Sequence, residues 1–243
     1  MRFVSPNAIL LAVALTGSWT CPAFSYEEVA GSTGNGTVSG QVTFKGTVPT
    51  RQIIPNKDLA VCGEPREEAL LEVGPGQGVA NALVYLADVT KGKPWPAAAK
   101  APELNNVKCR FEPEVQVIRA GSLQVINKDP VLHNTHGYYG RRTAFNNALP
   151  NQDQHVTAEL LKTGTVRIDC DAHGWMEGWI YVRDDPYYAV TGTDGKFTIT
   201  DVPPGTYTLV TVQPYSALIE QKGVTVGASG ATGLAIELKL RPM

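Results

Sequence analysis

Short runs in which apolar and polar residues alternate recur along this 243-residue chain, separated by glycine and proline. Examples are VSGQVTF, ALVYL, FTIT and TYTLVTV, which are rich in valine, threonine, isoleucine and tyrosine. Alternation with a period of two indicates β-strands, and the 24 glycines and 17 prolines supply the turns between them. The best helical stretch is short, at residues 65–72. The pattern predicts an all-β chain with one large domain or two small ones.

The first 25 residues have the pattern of an export signal. Arg2 precedes an apolar stretch at residues 8–16, and Ala23 and Ser25 place small residues before a cleavage point. Neither this stretch nor any later one is long enough to cross a bilayer, so no transmembrane segment is expected. A net charge of −2 with 18% charged residues gives no basic surface for nucleic acid. We therefore expect a periplasmic or secreted protein that has no nucleic-acid partner.

The segment CDAHGWM, residues 170–176, places a thiol, an imidazole and a thioether within seven positions. The strand-like run GTVRIDC ends at Cys170, and the run GWIYVRDD follows the segment. Sulfur and imidazole together suit a soft metal ion. The spacing alone is weak evidence, because a cysteine and a histidine separated by two residues are common by chance and Met176 could be a core side chain.

A second block, RFEPEVQVIRAGSLQVINKDPVLHN at residues 110–134, strengthens the interpretation. Its Phe-x-Pro, Ala-Gly, Asn-x-Asp and His-Asn motifs, together with the Cys-x2-His-x2-Met spacing, resemble the cupredoxins. The resemblance is greatest to the amicyanin type of blue-copper protein and covers residues 108–182. It implies a Greek-key β-sandwich that holds one type 1 copper ion.

The resemblance also implies the ligands of this copper: His133, Cys170, His173 and Met176. Asn134, which follows the first histidine, is implied to tie the two ligand loops together and to donate to the thiolate. Two imidazoles, a thiolate and a weak axial thioether suit both Cu(I) and Cu(II), whereas a closed zinc site would usually avoid methionine.

A site of this kind passes one electron at a time between redox protein partners. Four ligands leave no open coordination position, so we expect electron transfer and no enzymatic activity. The alternatives are a copper-binding accessory module for storage, delivery or sensing, and a structural β-sandwich with no redox role.

If the metal holds Cys170, then Cys62 and Cys109 are free to form a disulfide in an oxidising compartment. A bond between Cys170 and either of them is the open alternative. A lipid anchor on Cys21 is disfavoured, because the bulky Trp19 stands where small residues are required.

The two ends of the chain share a further resemblance. VSGQVTF and VANALVYL, followed by TDGKFTITDVPPGTYTLVTV, resemble the carboxypeptidase regulatory-like domain, a small transthyretin-like β-sandwich. The Asp-Gly and Pro-Pro-Gly turns fit such a fold. Four parts are thus expected: a signal peptide at 1–25, N-terminal strands of this sandwich at 37–91, the cupredoxin domain at 105–184, and the C-terminal part of the sandwich at 187–243. Insertion is favoured over two consecutive domains.

Three other residues near these motifs invite a functional interpretation. His136 and His155 are expected to be surface imidazoles rather than ligands. Trp175, beside His173, is interpreted either as part of an exposed apolar docking patch or as a core residue.

Overall fold

The computed structural model describes residues 26–31, 36–98, 100–227 and 229–241, and the expected signal peptide at 1–25 lies outside them. A short helix, α1, spans Leu59–Cys62, and a 3-10 turn spans Pro75–Gln77. The strands before residue 120 are β1 (Glu27–Glu28), β2 (Gly36–Thr43), β3 (Thr50–Ile53), β4 (Arg66–Ala69), β5 (Leu83–Ala87), β6 (Lys91–Gly92), β7 (Glu103–Val107), β8 (Arg110–Glu112) and β9 (Val115–Arg119).

The remaining strands are β10 (Gly121–Asn127), β11 (His133–Tyr139), β12 (Arg142–Leu149), β13 (His155–Leu160), β14 (Gly164–Cys170), β15 (Glu177–Arg183), β16 (Tyr188–Val190), β17 (Lys196–Val202), β18 (Gly205–Val212), β19 (Ile219–Val226) and β20 (Ala231–Glu237). The all-β fold expected from the alternating pattern is confirmed. Within the described ranges no helix is long and apolar enough to cross a membrane.

A central sandwich is formed by β7 to β15, residues 103–183. One of its sheets has the strand order β13-β10-β7-β8 and the other β12-β11-β14-β15-β9. Side chains that alternate along each strand meet between the sheets: Val166, Ile168 and Cys170 on β14 are buried, as are Leu123 and Val125 on β10. This core is the apolar platform on which the ends of β11 and β14 are held.

An outer sandwich is built from strands near both ends of the chain. Its two sheets have the orders β16-β5-β18-β19 and β17-β2-β20. Strand β2 pairs antiparallel with β17, with Gln41 opposite Lys196, and parallel with β20. Front strands thus pair with C-terminal strands, while the whole central sandwich lies between β5 and β16 in sequence.

Residues 50–69, which we call the strap, leave the outer sandwich between β2 and β5 and reach the central one. The strap consists of β3, α1 and β4, with β3 and β4 paired antiparallel. Its Cys62 forms a disulfide with Cys109 of the central sandwich, which confirms the predicted pairing. Both cysteines are buried, and Cys62 belongs to the central core although it lies outside that sandwich in sequence.

The stretch at residues 65–72, named above as the best helical candidate, is not helical, because Arg66–Ala69 forms strand β4. Glu68 accepts a hydrogen bond from Arg66 and ion pairs with Arg51 on the neighbouring strand. Arg110 of the central sandwich also reaches this carboxylate. These contacts, together with the β3 ladder, outweigh the modest helix preference of a Glu- and Leu-rich stretch.

Candidate metal centre

The register between β11 and β14 brings the two distant sequence motifs together. Strand β11 begins at His133 and β14 ends at Cys170, and the two strands run antiparallel with Thr135 opposite Cys170. The start of one strand and the end of the other therefore lie at the same edge of the sheet. The loop from 171 to 176 crosses this edge before β15 begins at Glu177.

Three donor atoms converge at this edge. The Sγ atom of Cys170 lies 3.7 Å from Nδ1 of His133 and 3.7 Å from Nδ1 of His173. The two Nδ1 atoms lie 3.1 Å apart. Both imidazoles are 0% exposed, and Cys170, which forms no disulfide with the other cysteines in the described ranges, is 1% exposed. The structure thus brings together three of the four predicted ligands in a site shielded from water.

A carboxylate holds the far nitrogen of each imidazole. Nε2 of His133 lies 2.9 Å from Oδ2 of Asp129, and Nε2 of His173 lies 3.0 Å from Oδ2 of Asp58. A carboxylate accepts the N–H of a neutral ring, so Nε2 carries the proton and the Nδ1 lone pair of each ring faces Cys170. Two such lone pairs 3.1 Å apart repel each other unless a cation lies between them. The arrangement favours a bound cation.

Buried surroundings set the protonation of these groups. Burial raises the pKa of the Cys170 thiol, although the backbone N–H groups of Asn134, His173 and Ala172 oppose the shift. Burial lowers the pKa of His133, and its hydrogen bond to Asp129 opposes that shift. Both directions favour the uncharged forms. A metal ion that binds here must displace the thiol proton, and its positive charge then stabilises the thiolate.

Asn134 links the two ligand loops. Its backbone N–H donates to Cys170 Sγ at 3.4 Å, and its side-chain Nδ2 donates to Asp171 Oδ2 at 3.2 Å. The backbone N–H of Asp171 donates to the carbonyl of Asn134 at 3.0 Å. The backbone of Asn134 thus reaches the Cys170 sulfur, while its side chain reaches Asp171.

The loop that carries the last two predicted ligands is held by its own backbone. The N–H of His173 donates to the carbonyl of Cys170 at 3.1 Å, and the N–H of Met176 donates to the carbonyl of His173 at 2.9 Å. Met176 is 3% exposed and belongs to the same buried cluster as Cys170. Trp175 is half-buried, packs against that cluster, and lies 5.1 Å from the His173 ring, centroid to centroid. Trp175 thus contacts the core but is not fully buried in it.

The donor separations fit one small metal ion. An ion that binds imidazole nitrogen at about 2.0 Å and thiolate sulfur at about 2.3 Å in a trigonal plane sets nitrogen-to-sulfur separations of about 3.7 Å. Both observed nitrogen-to-sulfur distances are 3.7 Å. The two nitrogens are 3.1 Å apart, somewhat closer than an even trigonal plane would place them. Two nitrogens and one sulfur are donors that suit copper.

The remaining histidines lie outside this cluster. His155 is exposed, as expected. His136 is mostly buried and contacts Asp171 and Thr143 through its two ring nitrogens, at 2.9 Å in each case. It is therefore a member of a polar network on the sheet face rather than a freely solvated imidazole.

Neither carboxylate that holds an imidazole was predicted from the sequence. Asp129 belongs to the Asn-x-Asp motif and precedes His133 by four residues, so a signal for it was present. Asp58 lies 115 residues from His173 in the chain and stands in no motif. The contact between Asp58 and His173 is therefore evident only in the folded chain.

Comparisons with known proteins give the following likenesses. No family model and no curated protein matches the chain. Among solved structures, the chain is similar to a reduced-state variant of amicyanin, with 21% identity, a TM-score of 0.32, and coverage of 36% of this chain and 86% of that chain. It is also similar to amicyanin from Paracoccus versutus (Thiobacillus versutus), with 20% identity, a TM-score of 0.32, and coverage of 36% and 85%. Each likeness thus covers little more than a third of this chain.

Proposed function

We propose that this chain is an exported copper protein that holds one type 1 copper ion and carries one electron at a time between two redox protein partners. The ion would be held by Cys170, His133 and His173, with Met176 as a fourth, weaker ligand. Bound copper supplies a centre that alternates between Cu(I) and Cu(II). The role is that of a carrier and not of an enzyme.

The observation that carries the proposal is the convergence of one thiol sulfur and two Nδ1 atoms, 3.1–3.7 Å apart and at most 1% exposed. Two donors extend from strand ends and the third from a short loop between strands, so a rigid sheet edge fixes their separations. Little rearrangement is then required when the charge of the ion changes, which favours rapid electron transfer. Burial also excludes water from the thiolate and from the ion.

In this proposal the backbone of Asn134 stabilises the Cys170 thiolate. The N–H of Asn134 donates to Sγ at 3.4 Å and places a partial positive charge beside the thiolate. Hydrogen bonds of this kind tune a metal site through the electron density of its ligand. The chain is proposed to act outside the cytoplasm, where the Cys62–Cys109 disulfide persists.

Titration of the metal-free protein with Cu(II) tests the function. We expect intense visible absorption from thiolate-to-copper charge transfer that saturates at one ion per chain, and a reversible one-electron wave in voltammetry. The H133A variant should lose both signals, whereas H155A, which removes an exposed histidine, should retain them. Tight Cu(I) binding without the colour would instead indicate storage or delivery, and absence of binding would refute a metal-dependent function.

A further inference from the structure

The two carboxylates that hold the imidazoles come from different parts of the chain. Asp129 precedes β11 in the central sandwich, but Asp58 lies on the strap, which belongs to the outer sandwich in sequence. Asp58 Oδ2 lies 3.0 Å from Nε2 of His173, whose side chain is 0% exposed. A residue outside the central sandwich therefore orients one of its proposed ligands.

The backbone around Asp58 fixes the position of this carboxylate. Asp58 has the left-handed conformation, with φ 53° and ψ 34°, which is uncommon for a residue other than glycine. Its carbonyl oxygen accepts the N–H groups of Val61 and Cys62, both at 2.9 Å. The single turn of α1 thus connects Asp58 firmly to Cys62.

The disulfide carries the connection to the other carboxylate. Cys62 is bonded to Cys109, and the Cys109 N–H donates to Oδ2 of Asp129 at 2.9 Å. The N–H of Lys108 donates to Oδ1 of the same carboxylate at 2.7 Å. The sulfur atoms of both cysteines lie within 4.8 Å of a ring nitrogen of His173. One path of bonds therefore runs from His173 through Asp58, the disulfide and Asp129 to His133.

We propose that Asp58, the Cys62–Cys109 disulfide and Asp129 form one clamp that fixes both imidazole rings with Nδ1 toward Cys170 before a metal binds. This inference rests on the copper site proposed above. Asp58 is a positioning residue, because it touches His173 and does not reach the three converging donors. Its role makes the strap, and with it the outer sandwich, part of the metal centre. Loss of an outer partner of this kind lowers metal affinity about 10–100-fold.

Variants of Asp58 in the full chain test the clamp through copper affinity. We expect D58A to bind copper about 10–100-fold more weakly than the wild type, measured by competition with a chelator. D58N should recover part of the loss, because its amide oxygen can still accept the Nε2 proton. E64A is the matched control: it removes an exposed carboxylate from the same strap and should bind copper like the wild type. Wild-type affinity in D58A would overturn the proposal.

Tautomer measurements on the metal-free protein separate failure of the clamp from failure of the proposed function. Nitrogen-15 chemical shifts of the ring should show His173 protonated at Nε2 in the wild type and in E64A, and a mixture of tautomers in D58A. This result would stand even if the wild type bound no copper. An unchanged Nε2–H tautomer in D58A would refute positioning by Asp58.

A double-mutant cycle tests whether the parts act as a unit. The C62A/C109A pair should lower copper affinity by a factor similar to that of D58A. Because both changes break the same path, the combined variant should lose little more than the larger single change. Losses that multiply would refute a single clamp. If the cysteine pair does not fold, as judged by circular dichroism, the Asp58 variants and the tautomer measurement still decide the inference.

Discussion

The loop between β10 and β11 depends on one buried amide. The Asn127 side chain is 0% exposed, and its Nδ2 donates to the carbonyl of Val131 at 2.8 Å and to that of Leu149 at 2.9 Å. Its Oδ1 accepts the backbone N–H of Asp129 at 2.9 Å. These three bonds shape the turn that presents Asp129 and His133 to the metal centre.

Replacement of Asn127 by alanine removes all three bonds, so two carbonyls and one N–H lose these partners. Each unsatisfied buried group costs about 1–3 kcal/mol, and partial access of water to the emptied space reduces the sum. We expect the free energy of unfolding to fall by about 3–5 kcal/mol. Natural proteins typically have an unfolding free energy of about 5–15 kcal/mol, so this loss would be a large part of the total.

Urea unfolding of the metal-free protein, followed by tryptophan fluorescence, measures this loss. With a slope of about 2 kcal/mol per molar urea, the N127A midpoint should fall by about 2 M. N151A, which shortens an exposed asparagine in the next loop, should change the free energy of unfolding by less than about 0.5 kcal/mol. A loss below about 1 kcal/mol in N127A would contradict the view that its amide holds the loop.

Two further pairs of variants test the packing of the central sandwich by the same unfolding measurement. A Cβ added at Gly137 would meet the Phe145 ring at 2.5 Å, so G137A should destabilise the protein by about 1–3 kcal/mol. A Cβ added at Gly174 on the ligand loop would have no atom within 4 Å apart from its own chain neighbours, so G174A should be close to neutral. A neutral G137A would mean that the ring moves aside freely. L160A empties a site that is 0% exposed and should cost about 2–5 kcal/mol, whereas L161A alters a side chain that is 75% exposed and should cost almost nothing. Equal losses at the two leucines would contradict the assigned register of β13.

The alternating pattern predicted the strands, and the resemblance to the cupredoxins implied that Cys170, His133 and His173 lie together. Apolar alternation indicates which face of a strand is buried. It also predicted that the strand GTVRIDC ends at Cys170, where the ligand loop begins. The Cys62–Cys109 bond was also predictable, since Cys170 had a different expected role. The strands depend on short-range patterns and the disulfide on a count of cysteines, whereas the grouping of His133 with Cys170 and His173 was implied by the resemblance.

Tertiary contacts decided what the sequence could not. The stretch at 65–72 consists of good helix formers, but Glu68 has charged partners on β3 and β8 that only the folded chain brings close. Asp58 stands in a loop with no pattern around it, and its importance follows from a contact with His173 across 115 positions. Neither strand β4 nor the Asp58–His173 contact can be predicted from the neighbouring sequence, because the residues that stabilise each of them lie elsewhere in the chain.

The pairing of β2 with β17 sets the order in which this chain can fold. Gln41 and Lys196 are opposite each other in the ladder and 155 positions apart (196 − 41). Until β17 is available, this edge of β2 is unpaired, whereas the central sandwich, whose strands are closer together in sequence, can complete its own core. We therefore expect closure of the outer sandwich to be the late step, with its early strands the part of the chain most exposed to wrong pairing.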